Sequence, residues 1–137
     1  ALLLTVRAEL QKKYFILIDA GSSGSRVHVH GYVETSSVPI IDASETLKKA
    51  PGLSSFESHP QDAGASLVPL MEFALTIVPA ALVSSTPVHL QATAGLRSID
   101  PIAAEKILES CRDTLSRYQF RFKRKWATII SGTQEGV

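Results

Sequence analysis

The stretch YFILIDAGSSGSRVHV, residues 14–29, carries an apolar run straight into a turn of small residues and out again through alternating valines. A short continuous apolar run bounded by turn residues reads as a buried strand, and Val27 and Val29 at alternate positions read as a second one. Between them, Ala20, Gly21, Ser22, Ser23, Gly24 and Ser25 supply two glycines for backbone that needs positive φ, together with three hydroxyl donors. The carboxylate of Asp19 stands at the junction. The unit reads as strand, phosphate-sized turn, strand.

Outward from this unit, residues 7–13 are polar and charged and read as a solvated entry segment. Val38, Pro39, Ile40 and Ile41 predict a third strand, at a sheet edge where a proline is tolerated. Residues 42–59 show no clear period and read as a long connection with one helical turn at 45–49. From Pro60 the apolar residues Ala63, Leu67, Leu70, Met71, Ala74, Leu75 and Val78 recur at spacings of three and four, which predicts one helix kinked at Pro69. Residues 87–93 alternate as a strand and end in a second small-residue turn, Ala92-Thr93-Ala94-Gly95. Asp100 and Pro101 open a further helix as N-cap and first residue, with Ala104, Ile107, Leu108, Cys111, Leu115 and Tyr118 on its inner face. A last strand, residues 126–130, runs into a third polar turn, Ser131-Gly132-Thr133-Gln134-Glu135-Gly136, just where another helix is expected to begin.

Composition narrows the function classes. The 137 residues, 45% hydrophobic and 20% charged, are enough for one ordinary globular core. The formal net charge of +1, from 14 Lys and Arg against 13 Asp and Glu, gives no global field toward nucleic acid or an acidic membrane. Arg121, Lys123, Arg124 and Lys125 read as a solvated helix end whose cations suit the C-terminal dipole. The single cysteine, Cys111, has no internal partner and reads as a small core hydrophobe. No apolar run approaches the roughly 20 residues needed to span a bilayer, and no Asn is present to accept an N-glycan.

Alternating strands and helices predict an α/β sheet, and ligands of such sheets sit at the carboxyl ends of the strands. All three special turns fall at such ends. A P-loop requires Lys and then Ser or Thr after its glycines, but Ser25 and Arg26 follow Gly24. A nucleophile elbow requires Gly two places after its serine, where Ser25 stands. His28, His30, His59 and His89 show no metal-ligand spacing on one helix face and read as strand or surface residues.

The chemistry left is hydrolysis of a phosphate by water, which needs donors around the phosphoryl oxygens, a divalent metal and a base. Residues 21–25 offer the donors, Asp19 the metal contact and Glu135 the base. Each also has a structural reading: Asp19 as a turn cap, Thr93 as a strand residue satisfied by main chain, Glu135 as the first-turn carboxylate of the following helix.

DAGSSGSRVHV (19–29), QATAGLR (91–97) and SGTQEG (131–136), in this order, resemble the first three apyrase motifs of the apyrase, or nucleoside triphosphate diphosphohydrolase, family. PGLSSF (51–56) and SLVPL (66–70) are similar to its plant-type branch. The resemblance implies the N-terminal lobe of an actin-like (ribonuclease H-like) α/β fold, a mixed sheet of about five strands with flanking helices. It implies hydrolysis of terminal phosphates of nucleoside tri- and diphosphates, ATP and ADP among them, with Ca²⁺ or Mg²⁺. Carried onto this sequence, it makes Gly21, Ser22, Ser23, Gly24 and Ser25 a phosphate clamp, puts Asp19 at the metal through water, sets Thr93 beside the attacking water and makes Glu135 the general base. Arg26 is either a phosphate contact or half of an ion pair on its strand.

The fourth and fifth motifs, which the family places in its second lobe, are not in these residues. The expectation is therefore a partial enzyme, inactive alone, with the C-terminal lobe as its partner and a membrane anchor or secretory routing supplied elsewhere. Two further readings stay open: an exopolyphosphatase-like phosphatase, and a non-catalytic actin-like nucleotide-binding module.

Overall fold

The computed structural model describes residues 12–35 and 37–131. Five strands, β1 (Lys12–Ala20), β2 (Ser25–Val33), β3 (Ile40–Lys49), β4 (Val88–Ala92) and β5 (Ala127–Ile129), form one mixed sheet in the order β3-β2-β1-β4-β5. β1, β2 and β3 are an antiparallel meander, whereas β4 lies parallel to β1 and β5 parallel to β4. Parallel neighbours need crossover connections. Helix α1 (Val68–Ile77) lies in the connection from β3 to β4, and α2 (Ala94–Arg97) and α3 (Pro101–Ser116) lie in that from β4 to β5.

The alternation read in the opening stretch sets the core. Tyr14, Ile16, Ile18 and Ala20 of β1 are buried, and Val29 and Val27 stand opposite Ile16 and Ile18. Val88, Leu90 and Ala92 continue the same rows on β4, and Ala127 on β5. Leu70, Met71 and Ala74 of α1 and Ala104, Ile107, Leu108, Cys111 and Leu115 of α3 complete this core. Residues of opposite parity, Phe15, Leu17 and Asp19 on β1, Arg26, His28 and His30 on β2, and His89 and Gln91 on β4, stand half-buried or exposed on the other face.

α3 begins as its sequence dictates, with the Asp100 carboxylate accepting the Ala103 amide at 3.0 Å and Pro101 in the first turn. Burial pushes the Cys111 thiol up to about 12, so it behaves as a small inert hydrophobe. Tyr118, expected on the inner face, lies beyond the helix end. No described helix is long and apolar enough to cross a membrane.

Four elements differ from their sequence reading. Residues 40–49 are a full strand rather than a short one followed by a connection with a helical turn; Pro39 stays just outside it. β3 is the sheet edge, paired only to β2, and just Ala43 and Leu47 are half-buried, so its sequence carries no apolar period. The run from Pro60 is not one kinked helix but 3-10 turns, Pro60–Asp62 and Gly64–Leu67, followed by α1. Pro69 thereby falls in the first turn of α1, where a missing N–H costs nothing.

The cations at 121–125 do not prolong a helix. Arg121 and Lys123 stand over the Trp126 ring, and Arg124 pairs with Glu109 at 2.7 Å and Asp113 at 3.0 Å. Lys12 and Lys13 already belong to β1, while the rest of the expected entry segment lies outside the described residues.

Candidate active site

Register sets the ends of the three parallel strands side by side. Ala20, Ala92 and Ile129, the last residues of β1, β4 and β5, stand in one row across the parallel strands. The first two turns leave this row on the same edge; of the third, only Ser131 lies within the described residues.

The first turn, residues 21–24, is closed by the Gly21 amide donating to the Gly24 carbonyl at 2.9 Å. Among the described residues the amides of Ser22, Ser23 and Gly24 make no hydrogen bond. Ser22 and Ser23 are exposed. Ser25 differs: its residue is 3% exposed, and its Oγ is buried without a partner at the base of the turn.

No described glycine has positive φ, so the two glycines of the turn do not serve the left-handed backbone anticipated for them. Space is the reason for Gly24, where a Cβ would stand 2.8 Å from the Lys49 carbonyl oxygen, and for Gly52 beside the turn. A Cβ at Gly52 would collide with the Ser22 carbonyl oxygen and stand 2.6 Å from that of Gly21, so the segment after Pro51 is a wall pressed on the first turn.

The second turn is tied to the first by two hydrogen bonds. The Thr93 amide donates to the Ala20 carbonyl at 3.0 Å, and the Thr93 hydroxyl to the same oxygen at 3.3 Å. Beyond it, a Cβ at Gly95 would stand 3.1 Å from Ser22 Cα and 3.2 Å from Ser54 Oγ. The exit of β5 is tied to the second turn: the Ile130 amide donates to the Ala92 carbonyl at 2.9 Å, and the Arg97 guanidinium donates to the Ile130 carbonyl at 2.7 Å. Ser131 opens the third turn; Glu135 lies outside the described residues.

Asp19 is exposed on the face opposite the core, and no hydrogen bond joins its carboxylate to another described residue. It is therefore not spent on capping the turn. Arg26 stands opposite Asp19, yet none of the ion pairs among the described residues includes Arg26.

Burial lowers the pKa of His28, with His30 and Arg26 lowering it further and Asp19 opposing them. His30 shares a 2.7 Å hydrogen bond with Ser44 Oγ. Neither imidazole has a metal-binding neighbourhood, and the described residues hold no group of three or more His, Cys, Asp or Glu able to bind a metal. Asp19, a lone exposed carboxylate at the end of β1, fits the habit of Mg²⁺, which is commonly held by one or two carboxylates, substrate phosphates and water.

Sequence reasoning missed Lys48. Its Nζ donates to Ser23 Oγ at 3.1 Å, from a strand that reads as a loop. Gly52 was legible only as part of a motif, and the tie made by Arg97 had no signal in its spacing. Grooves also occur away from these turns, between Pro60 and α3 and beside Leu75 and Tyr118, and bring none of the site residues together.

The order β3-β2-β1-β4-β5, a mixed sheet with flanking helices, is that of an actin-like (ribonuclease H-like) fold. The chain belongs to the GDA1/CD39 (nucleoside phosphatase) family, whose model matches residues 5–137. It is 43% identical to probable apyrase 5 of Arabidopsis thaliana over 128 residues, which cover 90% of this chain and 26% of that protein. It is likewise 43% identical to a nucleoside-triphosphatase of Pisum sativum over 134 residues, covering 96% of this chain and 30% of that protein. The chain thus spans less than a third of these relatives, whose names match the plant-type branch. Among solved structures, nucleoside triphosphate hydrolases from Neospora caninum share the fold at a TM-score of 0.61 and 20% identity, over 99% of this chain and 32% of that one.

Proposed function

We propose that these residues form the first lobe of an enzyme that hydrolyses the terminal phosphates of nucleoside tri- and diphosphates, ATP and ADP included. The observation that supports it is the single row of Ala20, Ala92 and Ile129, which sets the ends of the strands that lead into the three motifs side by side. The unbonded amides of residues 22–24 and the hydroxyls of Ser22 and Ser23 hold phosphoryl oxygens, Arg26 adds positive charge, and Thr93 orients water beside the first turn. Glu135, in the third turn, takes the proton of that water. A divalent cation, Mg²⁺ or Ca²⁺, would be held by Asp19 through water and would neutralise charge developing on the phosphate. The opposite wall, with the nucleoside contacts, belongs to a second lobe outside these residues, and routing through the secretory pathway with a membrane anchor or release remains part of the same proposal.

Phosphate release from ATP and ADP, measured on the protein that carries these residues at its relatives' full length, tests the reading. Glu135→Gln is expected to lower the rate by roughly 10² to 10⁴ and to leave nucleotide binding nearly intact. Near-normal turnover by that variant removes Glu135 from the mechanism. Faster release from polyphosphate than from ADP would replace the nucleotide by a polymer as substrate, and binding without any release would make the lobe a sensor.

A further inference from the structure

The cross-strand row next to the end of β1 holds more positive charge than the fold needs. Asp19 on β1 stands opposite Arg26 on β2, which stands opposite Lys48 on β3. Directly opposite residues of antiparallel strands project from the same face, and like charges so placed repel. Yet none of the ion pairs among the described residues relieves Arg26 or Lys48. An edge strand commonly carries lysine to discourage further pairing. Lys49 serves that purpose here from the neighbouring position. Lys48 instead turns back over the first turn: its Cε lies 3.0 Å from where a Cβ at Gly24 would stand, and its ammonium donates to Ser23 Oγ at 3.1 Å.

We propose that Lys48 is a phosphate-binding residue of this site, a second cation that with Arg26 receives a phosphoryl oxygen held by the turn at 22–24. This rests on the turn being a phosphate cradle, as proposed above. The ligand class is a pyrophosphate-type oxyanion, whose negative charge removes the repulsion between the two cations as it binds. The cradle's own donors are neutral amides and hydroxyls, and Asp19 is an anion that repels phosphate. The two cations supply the positive charge that this set of groups lacks.

The test uses the protein that carries these residues at its relatives' full length, with inorganic pyrophosphate as probe, with and without Mg²⁺, followed by calorimetric titration and by melting curves. Lys48→Ala is expected to weaken pyrophosphate binding about five- to twentyfold, and to leave the ligand-free melting midpoint unchanged or higher, because the repulsion with Arg26 is gone. Lys48→Arg is expected to keep affinity within about threefold of the original, and Lys49→Ala, which removes the same charge next door, within about twofold. Three results overturn the proposal: equal affinity for Lys48→Ala and the unaltered chain, equal losses for Lys48→Ala and Lys49→Ala, or a lowered ligand-free midpoint with binding that arginine does not restore. If the unaltered chain melts cooperatively yet binds no pyrophosphate, the cradle itself fails and Lys48 with it.

Discussion

Gly52 and Ser25 make opposite demands on the first turn. At Gly52 the carbonyl oxygens of Ser22 and Gly21 occupy the space of a side chain, so Gly52→Ala must push the wall away from the turn. Forced overpacking of this kind costs about 1–3 kcal/mol, and a lowered urea midpoint together with weaker pyrophosphate binding is the expected result. An unchanged midpoint would show that this wall is free to move. Ser25 is the reverse case. Its buried Oγ has no partner, and removing an unsatisfied hydroxyl is nearly neutral or stabilising, so Ser25→Ala should melt no lower than the unaltered chain. A clear fall in its melting midpoint would mean that the hydroxyl is bonded after all. The position of Asp19, Ser22, Ser23 and Thr93 at strand ends was legible because small residues after an apolar run mark a turn. Ser25 was legible as a residue but not as a buried one, since its burial depends on the pairing of β1 with β2. Lys48 was not legible at all, because its place beside Ser23 arises from the register of an edge strand 25 residues away.

At the scale of elements, the Gly64–Leu67 turn and α3 hold one another. The Gly64 amide donates to Ser110 Oγ at 2.8 Å, which in turn donates to the Gln61 carbonyl at 3.0 Å. A Cβ at Gly64 would collide with Thr114 Oγ1 and the Ser110 carbonyl. Gly64→Ala is therefore expected to cost about 1–3 kcal/mol, against about 1 kcal/mol for Asp100→Ala, which removes only the N-cap of α3. Urea unfolding of both variants checks the order; a larger loss for Asp100→Ala would mean that capping outweighs this contact. The boundaries of α3 were legible because Asp100 and Pro101 act locally. Those of α1 were not: Ala63, Leu67, Leu70, Met71, Ala74 and Val78 are all buried as their spacing demands, but Leu67 reaches the core from a 3-10 turn and Ala63 from the residue between two of them. Spacing records which side chains are inside and leaves the winding of the backbone open. β3 escaped for a related reason. An edge strand with one hydrogen-bonded side and little burial has no apolar period to read, and its existence depends on β2.

For the molecule as a whole, the two faces of the sheet divide the work: one is the core, and the other carries imidazoles, charges and the row leading to the first turn. The order of elements followed from the sequence because each parallel strand was separated from its neighbour by helix-sized connections, whereas the polar second face became visible only once register fixed which residues share it. That face carries a pH response. Burial lowers the pKa of His28 and of His89 below their ordinary 6.5. Around His28 stand His30, Arg26 and Asp19, the first two opposing its protonation and the third favouring it; His89 stacks on Trp126 at 4.5 Å, with Arg121 and Lys123 over the same ring. A group whose folded pKa is depressed binds its proton more readily in the unfolded chain, so its contribution is complete above 6.5 and is lost as pH falls through the lower folded value. Glu109, held below 4.5 by Arg112 and Arg124, loses its contribution only in a more acidic window. The melting midpoint should therefore fall between about pH 7.5 and about pH 5, before the carboxylates titrate, and the fall should be smaller when His28 and His89 are both replaced by glutamine. Equal falls for the double variant and the unaltered chain would assign the acid sensitivity to other groups and leave the histidine face without a part in it.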